Sequence, residues 1–185
     1  TASNNVAVGY ASLDANTTAS YNTAVGSNTL LVNTTGSDNV ALGYRALLAN
    51  TTGVGNVAIS KDSLQSNTTG SSNVSIGKDS MLANTTGIEN NAVGANALDA
   101  NTTGSYNVGV GFHSLSSNTT GAGNAAFGNL TLQSNTTASN NTAVGYQSLR
   151  LNTTGAGNTA SGYGALYTNT SGSNNVAIGR EALES

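Results

Sequence analysis

Large and small apolar residues alternate in short bursts along this chain. Each burst is followed by a glycine, then by an isolated leucine, then by a polar stretch. Val6-Ala7-Val8-Gly9 with Leu13 sets the pattern, and Val40-Ala41-Leu42-Gly43 with Leu47 and Val176-Ala177-Ile178-Gly179 with Leu183 repeat it. Alternation predicts a short β-strand whose first and third side chains share a face. Those large residues are expected to point inward, joined by the leucine. The glycine permits positive φ at a sharp bend, and Asn-Thr-Thr-Gly supplies a second corner.

The bursts are strictly phased. Asn-Thr-Thr begins at Asn16 and recurs every 17 residues to Asn152, and Asn-Thr-Ser at Asn169 completes the series. Residues 1–15 form a partial unit, followed by ten full units at 16–32, 33–49, 50–66, 67–83, 84–100, 101–117, 118–134, 135–151, 152–168 and 169–185. Counting positions from the first asparagine, the unit reads N-T-T-G-S-x-N-V-A-V-G-x-x-S/A-L-x-x. Position 7 is asparagine in every copy, position 11 is glycine except at Ser60, and position 15 is leucine except at Met81. Positions 12, 13 and 16 vary, so the fixed columns are constraints that sequence drift has not erased.

A 17-residue unit of weak helix formers predicts an all-β, parallel β-solenoid of eleven coils in one domain, 1–185. The simplest closed path is a flat coil with two short strands and two turns. In-register stacking at ~4.8 Å per coil gives a rod of roughly 50 Å. The asparagines at positions 1 and 7 then form ladders, each amide bonding to its neighbours above and below, as buried amides require. Three large apolar residues per coil make a thin core, so a second buried surface is expected. Position 9 faces away from positions 8 and 10 and is uniformly small. The stripe Ala7, Ala24, Ala41, Ala58, Ala92, Ala126, Ala143, Ala160 and Ala177 is therefore expected to meet another copy of the chain in a homo-oligomer.

Composition narrows the function. Charged residues are 7% and aromatics 5%, with no proline or cysteine and a net charge of −3. That balance gives nucleic acid no basic surface to bind. No apolar run approaches the ~18 residues of a membrane span, so no membrane insertion of this segment is expected. The chain opens on Thr1 and is read as a piece of something longer, with neither end carrying a distinct capping coil.

Little chemistry is on offer. His113, the single histidine, occupies a variable position without an orienting partner, so it reads as a surface residue. Asp62 and Asp79 stack at position 13, but Arg45, Lys61 and Lys78 surround them, which predicts a neutralised charge cluster. The aromatics at position 12 are Tyr10, Tyr44, Phe112, Tyr146 and Tyr163; such a column stacks on itself or contacts sugar rings. The Asn-Thr-Thr triplets match the glycosylation sequon, yet glycans ~5 Å apart could not sit side by side, so ladders are the better reading. No catalytic residue, cofactor or metal site is expected, and the chain reads as a non-enzyme.

Asn5-Val-Ala-Val-Gly9, Asn22-Thr-Ala-Val-Gly26 and Asn175-Val-Ala-Ile-Gly179 resemble the head repeats of trimeric autotransporter adhesins. Asn141-Thr-Ala-Val-Gly-Tyr-Gln-Ser-Leu149 is similar to repeats of phage tail-fibre proteins that carry a C-terminal self-cleaving chaperone. The resemblance covers essentially the whole chain, although adhesin head units are usually shorter than 17 residues. It implies a left-handed parallel β-roll, three chains around one axis and attachment at a cell surface. The expected function is thus a structural and adhesive segment of an extracellular fibre, on a bacterial surface or virion tail, contacting a glycan or protein receptor. The second reading is an ice-binding solenoid using stacked Asn and Thr columns at positions 1–3.

Overall fold

A computed structural model describes residues 2–184 and shows a parallel β-solenoid. Each coil contributes one three-residue strand at positions 8–10: β1 (Val6–Val8), β2 (Thr23–Val25), β3 (Val40–Leu42), β4 (Val57–Ile59), β5 (Val74–Ile76), β6 (Asn91–Val93), β7 (Val108–Val110), β8 (Ala125–Phe127), β9 (Thr142–Val144), β10 (Thr159–Ser161) and β11 (Val176–Ile178). They form a single eleven-stranded sheet in chain order. Every pair is parallel and in the register expected from the period, as in Val40↔Val57 and Val93↔Val110.

The second strand expected in each coil is absent among the described residues. Positions 12–17 run as consecutive turns, and four positions per coil take positive φ: 6, 11, 13 and 15. Position 6 holds αL-tolerant residues in most copies, such as Asn4, Asp38, Gly55 and Asn174. Position 15 does not. Leu47, Leu98 and Leu149 sit at φ 51°, 51° and 50°, a conformation that costs on the order of 1 kcal/mol or more for such a residue. Backbone bonds between coils hold it there. Leu98 N–H donates to Ser114 O at 2.9 Å and Ala100 N–H to Ser116 O at 3.1 Å, so the ladder continues outside the sheet.

The sheet faces the core with the opposite side from the one expected. The position-9 alanines from Ala24 to Ala160 are 0% exposed and pack in one cluster with the position-15 leucines. Position 9 abuts the leucine column directly. A Cβ added at Gly109 would lie 3.4 Å from Leu98 Cδ1. The expected oligomer stripe at Ala7, Ala24, Ala41, Ala58, Ala92, Ala126, Ala143, Ala160 and Ala177 is therefore an interior wall, with Ala7 uncovered only because it lies in the first coil. The physical reason is spacing. One leucine and one methyl group fill the gap between the sheet and the opposite turn, which leaves no room for two valines as well.

The remaining interior is polar and hydrogen-bonded. At position 1, Asn101 Nδ2 donates to Asn84 Oδ1 (2.8 Å) and to the Gly104 carbonyl (3.0 Å). At position 7, Asn107 Nδ2 donates to the Gly121 carbonyl (2.8 Å), while its Oδ1 accepts from the backbone N–H of Asn124 (3.0 Å). Asn118 donates to the same Gly121 carbonyl (3.0 Å), so the position-4 carbonyls tie the two asparagine ladders together. Both ladders match the expectation from sequence.

Candidate functional site

With alanine turned inward, the large residues at positions 8 and 10 lie on the outer face of the sheet. Val40, Leu42, Val93, Phe127 and Val144 are 38–45% exposed. Position 12 borders this face beyond the position-11 bend, and Tyr44, Phe112, Tyr146 and Tyr163 are exposed there. The two columns are mostly apolar, interrupted by Thr23, Asn91, Thr142, Thr159 and Ser161, and exposed apolar surface of this extent is more than scattered single residues. This surface was misassigned from sequence because large alternating residues normally point inward; the uniform smallness of position 9 was the overlooked signal of a cramped core.

The aromatic column spends its ring faces on its own neighbours. Tyr146 and Tyr163 stack with centroids 5.6 Å apart and planes inclined by 25°. The Arg180 guanidinium lies 5.4 Å from the Tyr163 ring centre and that of Arg45 4.9 Å from Tyr44. Phe112 meets His113 edge-on at 4.2 Å. Tyr10, in the first coil, is 80% exposed. Within the column only Tyr146 and Tyr163 stack on each other, and a sugar would compete with the guanidinium contacts at Tyr44 and Tyr163.

The charge cluster is neutralised as expected. Arg45 Nε lies 2.7 Å from Asp62 Oδ1, Lys61 Nζ 3.4 Å from Asp62 Oδ2, and Lys78 Nζ 3.3 Å from Asp79 Oδ2. The Arg45 guanidinium holds the Asp62 carboxyl below the usual carboxylate range. Among the described residues no group of three or more His, Cys, Asp or Glu could hold a metal ion. The sequon asparagines from Asn33 to Asn152 are 0% exposed and inside the ladder, which removes them from glycosylation in the folded chain and removes the asparagine column from any ice-binding surface. The exposed hydroxyl rank is position 3, Thr35 and Thr52 among its members.

Asp99 carries a buried carboxylate oxygen, Oδ1, without a hydrogen-bond partner. It stands at position 16, a variable column that holds Leu31, Leu48 and Leu82 in some coils and Gln65, Gln133 and Arg150 in others. Burial raises its pKa against a weak opposing contact from Asn96 at 3.4 Å. A carboxyl whose folded-state pKa is raised destabilises the fold above that pKa, and the penalty is relieved as pH falls through it. Asp99→Leu is expected to stabilise by about 1 kcal/mol at pH 7. The gain should shrink on acidification, as followed by urea midpoints across pH 3–7.

A cavity of about 360 Å³, lined by Leu166, Thr168, Asn169 and Leu183 among others, lies over the last two coils. Among the described residues no helix is long and apolar enough to cross a membrane. Comparison with protein-family models, curated proteins and solved structures gave no match.

Proposed function

We propose that the chain is a structural and adhesive segment of an extracellular fibre, a bacterial surface adhesin or a phage tail fibre, serving as a rigid spacer or receptor-contacting head. It acts as a homo-oligomer, and the resemblance to adhesin and tail-fibre repeats puts the number of chains at three, each coil left-handed. The observation that carries this reading is the outward, mostly apolar face at positions 8 and 10, where Val40, Leu42, Val93, Phe127 and Val144 are exposed between polar members such as Asn91 and Ser161. Covering it would supply the second buried surface that a core of one leucine per coil lacks. The glycan or protein receptor then meets the remaining outer surfaces, including the position-3 threonines and Tyr21 and Tyr106 at position 6. Sedimentation is expected to give about three times the 18.3 kDa chain mass. Val74→Asp with Val108→Asp should abolish the assembly, since a charge buried in an apolar interface is left unpaired. A wild-type chain that stays monomeric at micromolar concentration defeats the reading.

A further inference from the structure

Position 6 sets an unfavourable backbone for a large side chain, yet two coils place tyrosine there. The left-handed conformation recurs down the column, and most copies meet it with asparagine, aspartate or glycine. Tyr21 and Tyr106 hold φ of 61° and 63° and are 60% and 56% exposed. A bulky residue is an outlier in that region. Burial does not compensate the strain, and among the described residues neither ring stacks on another aromatic or lies under a guanidinium. Strain that the fold itself does not use points to function.

Each of these tyrosines has an acid beside it. The column holds two acids, Asp38 in the coil after Tyr21 and Glu89 in the coil before Tyr106. Backbone bonds set the pairs side by side: Asp38 N–H donates to Ser20 O at 3.1 Å, and Tyr106 N–H donates to Ile88 O at 3.1 Å. The members of each pair are thus one coil apart, ~4.8 Å between backbones. Both acids are exposed, and neither makes an ion pair among the described residues. The coil after each pair carries an exposed glycine at this position, Gly55 or Gly123, which keeps that flank low.

Resting on the receptor-contacting role proposed above, we infer that Tyr21 with Asp38, and Tyr106 with Glu89, are two binding sites for a neutral hexopyranose ring. The C–H face of such a ring is apolar and suits a rigid aromatic side chain with a polar tip. Hydroxyls on the sugar's edge then donate to the neighbouring carboxylate, and a charged acceptor makes these bonds short and strong. The position-12 tyrosines lack this combination. Tyr146 and Tyr163 stack on each other, and Tyr44 and Tyr163 face guanidinium groups. A lysine or arginine side chain would meet the same aromatic and acid, but an exposed ion pair contributes little, whereas a sugar uses both halves at once. The sites lie five coils apart in the sequence, ~24 Å along the rod, so an extended glycan of that reach engages both.

Methyl glycosides of galactose, glucose and mannose, titrated into the full chain and followed by saturation-transfer NMR, are expected to include a binder in the millimolar range. Tyr21→Asn with Tyr106→Asn should weaken that binding about tenfold or more. The thermal midpoint of this variant should stay level or rise, because asparagine tolerates the left-handed backbone. Asp38→Asn with Glu89→Gln should weaken binding by about threefold or more, through loss of the charged acceptor. Binding that survives either pair of changes, a midpoint that falls in the tyrosine variant, or no binding of any of the three sugars overturns the inference. So does tighter binding of N-acetyl-lysine methylamide than of every sugar, which would assign the pairs to a basic peptide. Each of these outcomes leaves the fibre reading standing; a monomeric mass removes that reading and leaves the sugar test unchanged.

Discussion

Asn107→Leu is expected to remove roughly 3–6 kcal/mol of stability, as much as deleting a core leucine. Leucine matches the branched outline of asparagine, so the change isolates hydrogen bonding from shape. Asn107 is 0% exposed. Its loss takes a donor from the Gly121 carbonyl, which keeps only its bond from Asn118. It also removes the acceptor of the Asn124 backbone N–H and leaves that donor buried without a partner, which alone costs about 1–3 kcal/mol. Urea unfolding measures the total, and hydrogen exchange at the Asn124 amide locates it. A loss under about 1 kcal/mol would mean that water replaces the ladder freely and that the interior is not the closed polar network described above.

The second large effect is expected at Gly111→Ala. Gly111 has φ +132°, and a Cβ there would lie 2.5 Å from the carbonyl carbon and oxygen of Gly128 in the next coil. The obstacle is backbone, so no side chain can swing aside. Strain at this φ costs about 1–3 kcal/mol, and forced separation of packed groups costs a similar amount. The total should be roughly 2–6 kcal/mol by the same principles. Ser60 is the natural exception at this position, and its φ is 109°. The control is Gly55→Asn. Gly55 has φ +67° with open space around its Cβ apart from Ser72 Oγ at 3.9 Å, so asparagine there should change stability by less than about 0.5 kcal/mol. Equal thermal midpoints for the two variants would contradict the packing assigned to position 11.

The period, the asparagine ladders and the position-11 bend were legible because each is a fixed column whose residue type has one economical use in a stacked coil. The face of the strand was not. Val40 and Leu42 follow the same alternation whether the neighbour is a core or another copy, and the rule that large residues turn inward presumes that the chain's own interior is the larger space. The position-15 leucines were also misleading, since leucine gives no hint of a left-handed backbone. A hint existed two residues earlier, where Asn28, Asp62, Asn96 and Gly164 occupy position 13 with φ of 56–61°. Those αL-tolerant residues mark a run of turns where a second strand had been expected.

The inter-coil bonds of this rod point along its length, each coil held to the next by backbone groups such as Val57 N–H to Asn73 O (2.8 Å) and by the amide ladders. Tension applied between the two ends therefore loads the rungs in series, and every rung bears the full force. A tether built this way yields at an end, one coil at a time, and each released coil pays out up to ~60 Å of chain. In the assembly proposed above, copies seated on the outer face would share that load, and how far the rod gives before it parts would depend on that contact.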